Sequence, residues 1–142
     1  MSTVHIEQGD WDRLGAIASE IRRVVFIDEQ HVPQDEEWDG LDPECVHFLA
    51  WHGEQAVGTA RLLPDGHIGR VAVLGETRGL GIGAALMGAA IDAARARGHH
   101  QVVLAAQTHA LVFYERLGFR AEGDIFLDAG IAHRNMTLSL TD

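Results

Sequence analysis

One glycine-rich loop constrains this sequence more than any other feature. Its residues are Arg78-Gly79-Leu80-Gly81-Ile82-Gly83-Ala84, between an apolar run at 68–74 and an alanine-rich helix predicted over 84–97. Three glycines in five positions leave no Cβ atoms to keep the backbone away from a ligand, and the first turn of the helix adds unpaired N–H groups and the positive end of a dipole. The loop therefore predicts a backbone cradle for an anion, with phosphate or pyrophosphate fitting best, rather than a turn that only changes the chain direction.

Composition narrows the classes of function. The 142 residues are expected to form one domain, and a formal net charge of −10 argues against nucleic-acid binding. The single cysteine, Cys45, excludes an intrachain disulfide, and its apolar neighbours indicate a buried structural thiol. The sequence shows neither a signal peptide nor an apolar run of transmembrane length. We therefore expect a cytoplasmic protein without a membrane partner.

Hydrophobic periodicity predicts an α/β fold, of the α+β kind, with one mixed β-sheet. Strands at 45–52, 55–63 and 67–74 form an antiparallel meander, because short turn sequences separate them. The helix over 84–97 then crosses to a strand at 101–106, which a βαβ unit places parallel to the last strand of the meander. The other predicted elements are a strand at 3–8, a helix over 11–29 capped by Asp10, a short helix after Thr108, and strands at 119–121, 123–128 and 132–140. Together they predict a central, twisted, mixed sheet with helices on both faces.

Residues 28–44 form an acidic segment, with eight acids in seventeen positions and no arginine. Two prolines and a glycine within it predict a loop with at most a helical turn. The segment is either a solvated charged loop or a negative wall over a pocket that attracts a cationic acceptor. Phe26, Val32 and Trp38 favour a segment that packs on the rest of the chain.

Two common phosphate-binding loops are excluded by their context. A Walker loop ends in Gly-Lys-Ser/Thr, and all eleven basic residues of this chain are arginine. A dinucleotide fingerprint is nominally present as Gly79-x-Gly81-x-x-Ala84. However, the next strand ends at Ala105-Ala106-Gln107, without the carboxylate that would hold the ribose.

A third class, the acyl-CoA loops, fits better. Arg78-x-x-Gly81-x-Gly83 follows Val71-Ala72-Val73, and Phe113-Tyr114-Glu115-Arg116-Leu117-Gly118-Phe119 comes about thirty positions later. On these residues the chain resembles the GNAT superfamily of acyl-CoA-dependent N-acyltransferases over nearly its whole length. Segments 26–30, 69–73 and 130–136 are similar to the small bacterial ElaA-type branch of that superfamily.

The resemblance implies a reaction and a site for its acyl donor. Acetyl-CoA would be the cosubstrate, and its acetyl group would pass directly to a primary amine in a ternary complex. The loop amides would hold the pyrophosphate, while the pantetheine arm would lie between two splayed strands. The residues implied to bind acetyl-CoA are Val71, Val73, Arg78, Gly79, Gly81, Gly83 and Ala84, with the two valines contributing main-chain groups.

The resemblance also assigns the proton transfers in part. Tyr114 matches the family tyrosine that protonates the leaving CoA thiolate, and an ordinary tyrosine pKa of ~10 keeps that group protonated at neutral pH. The candidates for the general base are Glu29, His47 and His133, or a water relay that needs no single base. The family glutamate is replaced here by Arg70, which would bind a carboxylate or phosphate on the acceptor or pair with an acid of the acidic segment. The family asparagine is replaced by Gln107-Thr108-His109.

The acidic segment favours a cationic small-molecule amine, such as a polyamine or an aminoglycoside-like molecule, or a basic peptide as the acceptor. The alternative function is a non-catalytic module that senses acyl-CoA. No metal site is expected, because the sequence lacks a His-Glu-x-x-His motif and one cysteine cannot build a structural zinc site. The resemblance further implies a homodimer through the C-terminal strands, while the sequence itself leaves oligomeric state and acyl chain length open.

Overall fold

The computed structural model describes residues 3–141, and within that range the chain is an α+β fold with seven strands and four α-helices. The strands are β1 (Val4–Gly9), β2 (Val46–His52), β3 (Gln55–Leu62), β4 (Ile68–Val73), β5 (Gln101–Gln107), β6 (Arg120–Asp128) and β7 (Ile131–Ser139). The helices are α1 (Trp11–Arg22), α2 (Gln34–Glu37), α3 (Ile82–Ala96) and α4 (Leu111–Arg116). Short 3₁₀ turns cover Asp42–Glu44, Gly75–Thr77 and Thr108–Ala110.

The strands form two antiparallel sheets that meet at one point. The first sheet has the order β1-β2-β3-β4 and the second the order β5-β7-β6. Between β4 and β5 the parallel pairing consists of a bridge from His67 to Val103, and the two strands then diverge. The predicted mixed sheet is confirmed in this form, and the divergence opens a space between its two halves.

Helices cover both faces of the first sheet, as the periodicity predicts. Leu49 and Ala72 pack in one buried cluster with α1. Phe48, on the opposite side of β2, packs in a second cluster with α3. A Cβ on Gly58 would lie 3.0 Å from Leu86 Cδ1, so this glycine allows α3 to approach β3 closely.

The predicted helix over 11–29 exists, but its hydrogen bonding changes along its length. Asp10 caps it as expected, because its carboxylate accepts the Arg13 N–H at 3.0 Å. After α1 the chain continues as a π-helix over Arg23–Glu29. Such π-helical turns are rare and are found most often at functional sites.

The sequence prediction was wrong about the strands that follow α4. Segments 119–121 and 123–128 were expected as separate strands, but they form the single strand β6. The register with β7 shifts between Glu122 and Phe126, and Gly123 has a φ of +76°. The glycine therefore makes a bulge inside a strand instead of ending one. The predicted turn at Ala129-Gly130 is present, and both residues have positive φ.

Candidate acyl-donor and acceptor site

A cavity of about 680 Å³ lies where β4 and β5 diverge. Strand β4 lines it on one side and the end of β5 on the other, while the π-helix, the acidic segment, α4 and the β6–β7 turn complete its walls. The cavity brings together six residues that the sequence picks out: Glu29, Val71, Val73, Arg78, Tyr114 and His133. Gly79, Gly81, Gly83 and Ala84 do not line it, and neither does His47.

The glycine loop next to this cavity has the backbone geometry of an anion cradle. Gly79 and Gly81 adopt φ values of +88° and +80°, a region that disfavours side chains. A Cβ on either would meet no described protein atom within 4 Å, so the space over the loop is open. The first bond into α3 runs from Ala85 N–H to the Gly81 carbonyl at 3.1 Å, which leaves the preceding amides for a ligand.

Gly83 has a different role. A Cβ there would lie 3.3 Å from Phe113 Cζ, so the glycine allows close packing between the start of α3 and helix α4. Helix α3 begins at Ile82, two residues before the predicted start, so Gly83 and Ala84 belong to its first turn.

Arg78 links the loop to the opposite wall of the cavity. Its Nη2 lies 2.9 Å from Glu29 Oε2, and its Nε donates to the Val73 carbonyl at 3.0 Å. The ion pair engages the carboxylate of one base candidate. The second bond occupies a main-chain acceptor that was expected to meet the pantetheine arm.

Tyr114 lines the cavity from α4. Its ring packs edge-on against Phe113 and Phe119, with centroid distances of 4.9 and 5.9 Å. Burial in this aromatic cluster raises the pKa of Tyr114 to about 12, because the phenolate would lose its hydration. The hydroxyl is therefore a proton donor at neutral pH and beyond.

The two candidate histidines have different surroundings. His133 lines the cavity, and its Nδ1 lies 2.7 Å from the Ile131 carbonyl, to which it must donate. In the neutral ring this bond leaves the Nε2 lone pair free. His47 is 1% exposed, its Nε2 donates to the Asp42 carbonyl at 2.9 Å, and burial lowers its pKa.

Three arginines outside the acidic segment, Arg22, Arg61 and Arg70, neutralise much of it. Arg22 of α1 is bound to Glu37 and lies 2.8 Å from Asp42 Oδ1. Arg61 of β3 contacts the same Asp42 oxygen at 2.9 Å and binds Asp39 through both of its terminal nitrogens. Glu37 and Asp42 are only 3% and 6% exposed, so this segment is anchored by buried ion pairs. It is not a freely solvated loop.

The same anchoring shortens the list of acids available to a ligand. Asp28 pairs with Arg23, and Glu29 with Arg78. Within the described chain, the acids of the segment outside any ion pair are Asp35, Glu36 and Glu44. The segment does contribute to the cavity wall, through Glu29 and Val32 near its start and Glu36 and Glu37 farther along, and Phe26 lines the cavity just before it. Trp38, which was expected to pack, is 59% exposed.

Arg70 stands at a bulge of β4 and lines the cavity. The β3–β4 register shifts between Thr59 and Arg61, which leaves Arg70 and Val71 outside the regular ladder. Arg70 has a φ of +50°, which is uncommon for a residue with a side chain. Its Nη2 reaches the Glu36 and Glu37 carbonyls at 3.3 and 3.0 Å and Asp39 Oδ2 at 3.3 Å. It therefore does pair with an acid of the segment, as one of the two options predicts.

Cys45 is buried, as predicted. Its thiol donates to the Leu41 carbonyl at 3.3 Å, and burial raises its pKa to about 11, so it is unreactive at neutral pH.

Among residues 3–141, no three His, Cys, Asp or Glu side chains are grouped so as to hold a metal ion. Over the same residues, no helix is both long and apolar enough to cross a membrane.

The class of protein follows from this architecture and from comparison with known families. Residues 17–140 match the acetyltransferase (GNAT) domain family, so the chain belongs to it. This family uses acyl-CoA as its donor and acetylates amines. The α+β fold described above is thus a GNAT fold.

Individual relatives refine that assignment. The chain is 40% identical to the uncharacterized N-acetyltransferase YjcF of Bacillus subtilis, over 82% of this chain and 86% of the relative. It is 33% identical to ElaA of Escherichia coli over 82% of each, which agrees with the predicted ElaA-type branch. The crystal structure of ElaA superposes with a TM-score of 0.85 at 26% identity, over 96% of this chain and all of ElaA. An acyl-CoA N-acyltransferase structure from Pseudomonas aeruginosa gives 0.80 at 31% identity, over 98% and 100%.

Sequence reasoning missed the buried ion cluster. Arg22 looks like an ordinary residue on the polar side of an amphipathic helix, and Arg61 sits within an apolar strand run. An arginine flanked by apolar residues in a strand is the one available signal, because arginine is almost never fully buried without a partner. The acidic segment is the natural place to look for that partner.

Proposed function

We propose that the protein is an acetyl-CoA-dependent N-acetyltransferase that acts on a primary amine. The observation that carries this proposal is the shared cavity: Tyr114, the bulged main chain at Val71 and the arginine of the glycine loop all border one space between diverging strands. A simple anion-binding turn would not need a partly buried phenol beside it. The residues proposed to bind acetyl-CoA are those named from the sequence: Val71, Val73, Arg78, Gly79, Gly81, Gly83 and Ala84.

The backbone geometry of the glycine loop suits binding of the CoA phosphates. Two of its glycines have positive φ, and the space into which their Cβ atoms would project is open. The free amides at the start of α3 supply donors to a pyrophosphate. For the pantetheine amide to bind the Val73 carbonyl, Arg78 would first have to release it.

Tyr114 is proposed as the general acid. Acetyl-CoA supplies the acetyl group as a thioester; the acceptor nitrogen attacks its carbonyl carbon, the C–N bond forms and the C–S bond breaks. The Tyr114 hydroxyl gives its proton to the departing sulfur and is afterwards reprotonated from solvent. A pKa of about 12 keeps this proton in place until it is needed.

His133 is the base that the geometry supports best. Its Nε2 carries a free lone pair in the neutral ring, and it borders the same cavity as Tyr114. It would take the proton of the acceptor ammonium directly or through a water molecule. Glu29 stays a second candidate, although its carboxylate is held by Arg78. His47 is left out of the proposal, because it is buried away from the cavity.

A ligand panel with thermal unfolding and thiol release tests the proposal. We expect acetyl-CoA and CoA to stabilise the protein by about 2.7 kcal/mol at a hundredfold excess over their dissociation constants. NAD and ATP at the same concentrations should stabilise it less. Amine-dependent release of free CoA thiol separates the enzyme from a module that only senses acyl-CoA. Binding without transfer to any amine would leave the sensing module, and no stabilisation by acetyl-CoA would refute both.

A homodimer through the C-terminal strands is also proposed. Strand β6 is an edge of the second sheet, and Ile125 and Leu127 on it are 63% and 73% exposed. Paired copies would cover both the edge and these side chains.

A further inference from the structure

Arg70 is an arginine whose hydrogen bonding is incomplete. Its Nε is buried and has no hydrogen-bond partner among the described residues. Its Nη2 donates hydrogen bonds to three acceptors, the Glu36 and Glu37 carbonyls and an Asp39 carboxylate oxygen, while Nη1 forms no hydrogen bond with residues 3–141. A guanidinium has five donors, so most of this group's capacity is unused.

The carboxylates next to Arg70 form their main ion pairs with other arginines. Asp39 is bound through both oxygens by Arg61, and Glu37 is in close contact with Arg22. Arg70 reaches Asp39 only at 3.3 Å, and its Nε lies 3.7 Å from Glu37 Oε1, beyond hydrogen-bond range. It is the least well paired of the three arginines in the cluster.

Arg61 shares one part of this pattern, although its terminal nitrogens bind Asp39 and Asp42. It also lines the cavity, is 4% exposed, and its Nε has no hydrogen-bond partner among the described residues. Arg70 further adopts an unfavourable positive φ at the bulge. Backbone strain and unmet donors are both unfavourable for folding, and such features concentrate at ligand sites.

We infer that the amine acceptor carries a carboxylate, which Arg70 binds within the cavity through its unbonded Nη1. This inference rests on the proposed acetyl transfer and narrows its substrate class to amino acids and similar amino carboxylates. The unbonded Nη1 of Arg70 can form a charge-assisted hydrogen bond to a carboxylate oxygen. A carboxylate fits better than a phosphate, because Glu36, Glu37 and Asp128 also line the cavity and would repel a dianion more strongly.

The inference reverses the acceptor charge suggested by the acidic segment. That suggestion counted eight acids, but internal ion pairs hold five of them: Asp28, Glu29, Glu37, Asp39 and Asp42. Next to Glu36 of the segment, β4 places Arg70, an arginine with unused donors. The cavity is thus suited to an acceptor with an ammonium and a carboxylate, rather than to a polyamine.

Matched acceptor pairs provide the test. Acetyl transfer is measured with glycine, leucine, phenylalanine and arginine against the amide of each, with spermidine as the polyamine and phosphoethanolamine against ethanolamine for phosphate. For at least one pair we expect kcat/KM for the acid to exceed that for its amide by about 10- to 100-fold, the effect of a charge-assisted hydrogen bond. Equal rates within every pair, or a preference for spermidine or for phosphoethanolamine, would overturn the inference while leaving the proposed acetyl transfer standing.

Variants then assign the preference to Arg70. Arg70→Gln should bring the acid-to-amide ratio close to one, and Arg70→Lys should give an intermediate ratio because it keeps the charge but not the position and directions of the guanidinium donors. Arg13→Gln, which removes an exposed arginine paired with Glu7, should keep the wild-type ratio. A wild-type ratio in a folded Arg70→Gln variant contradicts the assignment. If that variant does not fold, the wild-type pairs and Arg70→Lys decide. Absence of transfer to any amine would instead refute the proposed function itself.

Discussion

At the scale of single residues, one tyrosine carries the proposed chemistry. Tyr114 is held by aromatic rings on two sides, and burial moves its pKa to about 12. A phenol in such a place is a weaker acid than in water, so it stays protonated through the whole physiological range. Its proposed role is to hold one proton until the leaving thiolate develops charge.

Tyr114→Phe removes that proton and little else. We expect kcat to fall by about 10²-fold or more, the usual effect of losing a general acid. The affinity for CoA should be unchanged, because the ring and its packing remain. Steady-state kinetics and CoA-induced thermal shifts measure the two effects separately. An unchanged kcat would remove Tyr114 from the mechanism.

The alkaline side of the pH profile gives an independent check on the same residue. Because the pKa of Tyr114 is about 12, its deprotonation should cause no loss of kcat between pH 7 and about 10. A decline centred near pH 10 in the wild type and absent from Tyr114→Phe would contradict the raised pKa.

Asp42 is the residue on which the buried ion cluster depends, since Arg22 and Arg61 share it. Asp42→Asn leaves two buried arginines without that charge, and we expect a loss of about 3–5 kcal/mol in the free energy of unfolding. Asp28→Asn breaks an exposed pair with Arg23 and should change it by no more than about 1 kcal/mol. Urea unfolding compares the two, and equal effects would show that the cluster does not anchor the fold.

At the scale of elements, the glycine loop joins β4 to α3 with strained turns that few residues tolerate. Gly81→Ala places a side chain at φ +80° and projects it into the open space over the loop. We expect a loss of about 1–2 kcal/mol in stability together with weaker CoA binding. Calorimetric titration with CoA gives the affinity.

Gly88 is the matched control for that change. It lies inside α3, has no positive φ, and a Cβ there would meet no described atom within 4 Å. Gly88→Ala should stabilise the protein by about 0.5–1 kcal/mol and leave CoA affinity as it is. If Gly81→Ala also leaves the affinity unchanged, the loop is not the phosphate cradle.

The elements that could be predicted from sequence are those with local signals. The loop, the meander, the α1 cap at Asp10 and the Ala129-Gly130 turn each depend on residues within a few positions of one another, and the structure contains them all. The π-helix and the bulge at Gly123 depend on tertiary packing, so periodicity alone suggests an ordinary helix and a strand break there. The parallel pairing between β4 and β5 consists of one bridge, and this too depends on tertiary packing rather than on a local sequence signal.

The candidate site shows the same division. Tyr114 and the loop glycines follow from motifs, but the surroundings of the acidic segment do not. Its partners Arg22, Arg61 and Arg70 come from a helix and two strands outside the segment. Charge counting within the segment therefore predicted either a solvated loop or a negative wall, whereas the fold largely neutralises it.

For the whole molecule, the ion cluster also sets the response to acid. Hydrogen bonds from Arg61 lower the pKa of Asp39. Burial alone would raise the pKa of Asp42, but Arg22 and Arg61 outweigh it and lower it. A lowered folded-state pKa gives stability that is complete above the unfolded value of ~3.9 and is lost as the pH falls below it. Urea unfolding should thus show a steep loss below about pH 4, and a smaller loss in Asp42→Asn.

The second sheet ends in an edge strand whose apolar side chains face solvent. Ile125 and Leu127 lie on either side of Phe126 on β6, and both are exposed to solvent. Exposed, unpaired edges invite pairing with another chain, and monomeric proteins commonly protect them. Burying this edge against its copy by a two-fold axis would satisfy both strands in the same way.

Charged substitutions on that edge test the dimer. Ile125→Glu with Leu127→Glu places two negative charges on each copy at the proposed contact, where they would repel and lose the apolar burial. We expect the wild type to sediment as a dimer and the double variant as a monomer with an unchanged CoA-induced thermal shift. Val112→Glu, which charges a comparably exposed apolar residue on α4, should remain dimeric. A monomeric wild type, or a double variant that still dimerises, places the contact elsewhere or removes it.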